Sequence, residues 1–88
     1  MAGMIGMNVE EVRALSRQLQ QASEQVKQIQ SQLTSKLGGT TWVGQDQARF
    51  KSEWDGTHSS NLRNVAEALA QASQAALQNA NDQEQVSR

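Results

Sequence analysis

Apolar residues return every three or four positions through the first half of the chain. Val12, Leu15, Leu19, Ala22, Val26, Ile29, Leu33 and Leu37 are separated by steps of 3, 4, 3, 4, 3, 4 and 4. Ile5 and Val9 extend the rhythm backwards. At about 3.6 residues per turn, such a set lines one side of an α-helix in the manner of an a/d heptad seam. Gln, Ser, Glu, Lys and Arg fill the other positions. Asn8 is placed to cap this helix, because its side-chain oxygen can accept from a freed amide of the first turn. Glu11, three residues on, completes a capping-box-like arrangement. Glu10 and Glu11 suit the positive end of the helix dipole and Lys36 the negative end. Gly38 fits the left-handed position just past a helix C-terminus. The pattern predicts a first helix over about 8–37.

A second apolar series runs through Phe50, Trp54, His58 or Thr57, Leu62, Val65, Leu69, Ala72 and Ala76. Its spacing is loose before Leu62 and regular after it. It predicts a second helix over about 45–81, with Asp46 near its positive end. Gly56, Ser59 and Ser60 lower helix propensity in its middle and mark a place for a bend. Ala66–Ala80 is rich in alanine, and small residues let another helix approach closely. The connection 38–44 holds Gly38, Gly39 and Gly44 and is the one break in the pattern. Residues 1–7 read as a flexible arm, and 82–88, polar apart from Val86, as a flexible tail.

Two helices of about 30 residues are each about 45 Å long. So short a link lays them side by side and antiparallel. Two helices alone leave a long apolar stripe in water, more than a soluble monomer normally exposes. The expected architecture is therefore all-α: a hairpin of two long helices that dimerises into a four-helix bundle. The seam residues expected at the core or dimer interface are Val12, Leu15, Leu19, Ala22, Val26, Ile29, Leu33, Phe50, Trp54, Leu62, Val65, Leu69, Ala72 and Ala76.

Composition narrows the function. The 88 residues include no Cys, Pro or Tyr, one Phe, two Trp and one His. Without Cys there is no disulfide framework and no thiolate metal site. A net charge of −1 argues against nucleic acid as a partner. No apolar run is long enough to span a bilayer. Met1–Met7 lacks the apolar core and basic flank of a cleaved signal peptide. His58 has Asp55 one turn away but no second His, Cys or nucleophile beside it, so it reads as a seam or surface position. No serine sits in a Gly-x-Ser-x-Gly setting, and no phosphate-binding glycine loop follows a strand. The expectation is a non-enzymatic protein with no metal and no cofactor. Glu24 with Lys27, and Arg63 with Glu67, are spaced for weak surface pairs.

Trp42 and Gly44 are unexpected in a turn, which requires no Trp. Two roles are open to Trp42. It can fold back and close the end of the hairpin core, with Gly44 supplying backbone freedom where the second helix starts. Alternatively, it can help form a groove seen by another protein.

Trp42-Val43-Gly44, in the loop of a Cys-free helical hairpin and followed by Ala48, Phe50, Trp54 and Leu62, resembles the WXG100 family of small type VII secretion substrates. The resemblance covers almost the whole chain, including the Asn8-Val9-Glu10 start and the heptad seam. It implies helical hairpins pairing antiparallel into four-helix bundles, with themselves or with a WXG100 paralogue. It further implies synthesis in the cytoplasm, export by a type VII ATPase without a cleaved signal peptide, and a non-enzymatic role as secreted effector, chaperone-like partner or structural component. The Trp-x-Gly loop would contribute to a composite export signal with the partner's tail. The chain departs from the family at its tail. Exported pairs carry Tyr-x-x-x-Asp/Glu after the second helix on at least one subunit, and this chain has no Tyr. Only Trp42 and Gly44 are therefore carried over.

Two other function classes compete. A membrane-active effector would need Lys and Arg on the polar helix faces, whereas Gln, Ser and mixed charge fill them, which argues against direct membrane binding. An intracellular coiled-coil adaptor would share the seam but not the export.

Overall fold

The computed structural model describes residues 6–87, and they are almost entirely helical. Helix α1 spans Val9–Gly38, α2 spans Gln45–Glu53 and α3 spans Ser59–Ser87. A π turn, Trp54–His58, joins α2 to α3, so that the two run as one long, interrupted helix. No strand occurs among the described residues. The rod measures 66 × 17 × 17 Å, with a radius of gyration of 19.5 Å, where a globule of this length has about 12 Å.

Asn8 caps α1 as its sequence position suggests. It sits at φ −81 and ψ 107, and its side-chain oxygen accepts from the Glu11 amide at 3.0 Å. The other end differs from expectation. Gly38 is the last helical residue, and Gly39 follows at φ −92, so neither adopts the left-handed conformation. Thr40 closes the helix instead. Its hydroxyl donates to the Lys36 carbonyl at 2.6 Å and its amide to the Leu37 carbonyl at 3.3 Å. With the terminal carbonyls met in this way, no left-handed residue is needed.

Helices α1 and α3 lie antiparallel. Ser16 bonds Ser73, Ser23 bonds Ala66, and Gln30 bonds Ser59, so each seven-residue advance on α1 is a seven-residue retreat on α3. The residues at this contact are small. The buried positions are Ser16, Ser23, Ser59, Ala66, Ser73 and Ala80. Ser16 Oγ donates to the Ser73 carbonyl at 2.8 Å, Ser73 Oγ to the Ser16 carbonyl at 2.7 Å, and Ser23 Oγ to the Ala66 carbonyl at 2.6 Å. A hydroxyl on a one-carbon stem reaches a carbonyl of the facing helix only when the backbones are close. Small residues and side-chain-to-backbone bonds therefore support each other. Among the described residues no buried side-chain polar atom lacks a partner, so the polar seam carries no desolvation debt.

The expected flexible tail is helical to Ser87. Arg13 explains much of this. Its guanidinium donates to the Asn81 side chain at 3.1 Å and to Glu84 at 3.0 Å, and Gln78 donates to Asp82 at 2.8 Å. Together with buried Ala80, the two Arg13 contacts tie the last turns to α1, while the Gln78–Asp82 bond lies within α3. Of the expected N-terminal arm, only Gly6 and Met7 are described, and they precede α1 without regular structure; Ile5 lies outside the described residues.

The bend expected near Gly56 is the π turn. The Ser59 amide bonds the Trp54 carbonyl five residues back. One extra residue in the turn changes the helical phase by about 100°. In an unbroken α-helix, Trp54 would point well away from the line of Ser59. The added residue returns it to the α1 side, where its indole Nε1 donates to Thr34 Oγ1 at 2.8 Å.

Candidate functional site

The innermost contact between the two long helices is not made by the large apolar side chains. Val12, Leu19, Ala22, Val26, Trp54, Leu62, Leu69 and Ala76 are half-buried, while Leu15, Ile29, Leu33, Phe50, Val65 and Ala72 are exposed. Leu15, Ile29, Leu33 and Val65 each keep 47–49% of their surface. The sequence reading missed Ser16, Ser23, Ser59 and Ser73 as the inner contact. The signal was present as strict sevenfold spacing of small residues, 16 and 23 on one helix and 59, 66, 73 and 80 on the other.

The geometry of the columns explains the exposure. Relative to Ser16 and Ser23, the column Val12, Leu19, Val26, Leu33 is turned by about 50°, and Leu15, Ala22, Ile29 by about 100° in the same sense. Relative to Ala66 and Ser73, the columns Leu62, Leu69, Ala76 and Val65, Ala72 are turned by the same angles. In an antiparallel pair, equal senses fall on the same side. The large residues of these columns thus share one face of the hairpin, while Leu77, four positions after Ser73 and also exposed, lies on the other. The opposite face carries Arg13, which pairs with both Glu10 at 3.3 Å and Glu84 at 3.0 Å. The hydrogen bond it donates to Glu84 is the main reason the Arg13 guanidinium holds its proton more strongly than usual. The Glu24–Lys27 and Arg63–Glu67 pairs do not form; besides Arg13–Glu10, the short-range pairs among the described residues are Asp46–Arg49 at 3.7 Å and Lys51–Asp55 at 2.8 Å, the second bracing the π turn.

At the loop end the apolar face opens into a cleft of about 370 Å³ lined by Leu33, Lys36, Leu37, Thr40, Trp42, Phe50 and Trp54. The Trp42 and Phe50 rings lie 5.5 Å apart at 49°. Trp42 keeps 40% of its surface and Val43 keeps 89%. Trp42 packs on Phe50 and still presents part of its ring to the outside. Gly44 sits at φ 118 and ψ −177, a region essentially reserved for glycine. A Cβ there would meet nothing within 4 Å, so the backbone conformation and not space demands the glycine. That conformation turns the chain from the Trp42 loop into α2.

His58 is exposed within the π turn, its ring 6.5 Å from that of Trp54. No group of three or more His, Cys, Asp or Glu gathers among the described residues. No helix among them is long and apolar enough to cross a membrane. Compared with protein-family models, with curated proteins and with solved structures, the chain matches none.

Proposed function

We propose that this chain is a non-enzymatic, exported pairing module: a small secreted protein of the type VII kind that leaves the cytoplasm folded, as a dimer. Its apolar face takes a second helical hairpin, its own copy or a WXG100 paralogue, to make a four-helix bundle. Its Trp42-Val43-Gly44 loop is presented to the export ATPase. The observation that supports this most is the loop itself. An exposed Trp that lines an apolar cleft, and an exposed Val beside it, lead into a glycine in a conformation other residues avoid. A loop that merely closed a hairpin would need neither the exposure nor the constraint.

The test is fractionation of a host with its type VII system intact, comparing the wild-type chain with Trp42→Ala. Export is expected to fall at least tenfold in the variant while helicity by circular dichroism stays within a tenth of wild type. Retention of the wild-type chain in the cytoplasm would sink the export reading. Equal loss of export and helicity would reduce Trp42 to a core residue.

A further inference from the structure

The cleft at the loop end combines an aromatic wall with one uncommitted charge. We infer that it binds a single-chain amphiphile with an anionic head, of the medium-chain carboxylate class. The chain lies against Trp42, Phe50 and Trp54, and the carboxylate meets Lys36. The inference goes beyond the export reading and does not depend on it.

The first support is how the wall is built. Phe50 lies on α2 and Trp54 opens the π turn that follows it. Turns of this kind are rare within α-helices and recur at functional sites. Here the added residue brings both rings to the α1 side, where they line the cleft with Leu33 and Leu37. A regular helix through Gly56 would carry them away from it. From the loop, the Trp42 ring meets Phe50 at 5.5 Å and extends the wall. The volume of about 370 Å³ lies in the range of small-molecule pockets, about 300–1,000 Å³. At about 30 Å³ for each water-sized group, such a space takes a chain on the order of ten carbons.

The second support is the inventory of polar side-chain groups in the lining. The Trp54 indole Nε1 is committed to Thr34 Oγ1, and the Thr40 hydroxyl to the Lys36 carbonyl. Two groups are left, the Lys36 ammonium and the Trp42 indole N–H. Neither has a hydrogen-bond or ion-pair partner among the described residues. Both are donors, and no acidic side chain lines the cleft. An ionised carboxylate is the complementary head, since it only accepts and carries the opposite charge. Three aromatic rings could also attract a quaternary ammonium, but Lys36 repels that head.

The probe is decanoate, titrated into the purified chain below its micelle concentration. The chain's two Trp residues both line the cleft, so their emission reports binding, with calorimetry for stoichiometry. Saturable binding of one decanoate per chain is expected, about tenfold tighter than decyltrimethylammonium. From hexanoate to decanoate, each methylene should tighten binding by about two- to fourfold, with no further gain in tetradecanoate. Lys36→Gln changes an exposed residue outside the Trp-x-Gly loop. It should weaken decanoate about fivefold, leave decanol unchanged and keep wild-type circular dichroism. No saturable binding of decanoate up to about 1 mM would overturn the proposal and leave the cleft to a protein side chain. Equal affinity for the two head groups, or a Lys36→Gln variant that binds decanoate as wild type does, would also overturn it. So would binding to phosphatidylglycerol vesicles without binding of free decanoate, which would make the cleft a membrane contact. Failure here is distinct from failure of the export reading: a chain retained in the cytoplasm could still bind decanoate, and an exported chain could fail to.

Discussion

Ser16 and Ser73 exchange hydrogen bonds across the hairpin: each hydroxyl donates to the other residue's backbone carbonyl, at 2.8 and 2.7 Å. Each carbonyl belongs to a helix and can still accept its intrahelical amide, because a carbonyl oxygen has two lone pairs. Removing a hydroxyl therefore strands no buried acceptor. Ser16→Ala or Ser73→Ala is expected to cost only about 1 kcal/mol. Ser23→Leu forces a large side chain between closely approached backbones and should cost about 3 kcal/mol. Urea unfolding followed by circular dichroism at fixed protein concentration checks the contrast; equal losses would refute the close packing at Ser23.

Charges on the apolar face should act differently. Leu19→Glu or Leu69→Glu puts a carboxylate where a second hairpin would bury it, a penalty of several kcal/mol. The inner serines are untouched, so the expected product is a helical monomer. Light scattering with circular dichroism distinguishes this from an unchanged oligomer, which would refute the assignment of the face.

The glycines give an internal control. Gly38 is helical with open space around its Cα, so Gly38→Ala should stabilise by about 1 kcal/mol. Gly44→Ala must place a Cβ at φ 118 and should destabilise by about 1–3 kcal/mol. In thermal unfolding the two variants should move in opposite directions, by roughly 4–8 °C for each kcal/mol.

Deleting Gly56 should convert the π turn to regular α-helix and rotate α2 by about 100°. Trp54 would lose Thr34, and the cleft would lose Trp54 and Phe50. A red shift of tryptophan emission is expected in the deletion. It should persist when Trp42 is replaced by Phe, leaving Trp54 as the sole reporter. An unchanged spectrum would mean that the extra residue does not position α2.

Arg13 sets the order of the last turns. Its charge-stabilised form persists at every pH below its raised native value and is lost only above the ordinary arginine range. The contact with Glu84 therefore weakens on the acid side only as the carboxylate itself is protonated. Arg13→Ala is expected to speed amide exchange in residues 80–86 more than elsewhere, measured by hydrogen–deuterium exchange. Uniform change along the chain would argue against a local clamp.

Heptad spacing announced two helices, and Asn8 and the glycine cluster announced where the first begins and the chain turns. The facing of those helices was not legible in the same way. Hydropathy ranks serine as neutral, so Ser16, Ser23, Ser59 and Ser73 read as filler between leucines. Their value comes from carbonyls on the other helix, a partner that periodicity within one helix does not register. The π turn was visible only as a dip in helix propensity at Gly56, because the inserted phase depends on packing against α1. The tail read as polar and loose because its anchor, Arg13, lies about seventy residues away in sequence.

The separation of the serine columns from the leucine columns has an evolutionary consequence. On the pairing proposed above, the serine columns that align the two long helices are not the residues that would meet a companion. Substitutions along the leucine face can retune which companion is accepted while the subunit keeps its shape, so gene duplicates of such a chain could diverge in partnership without first passing through an unfolded ancestor.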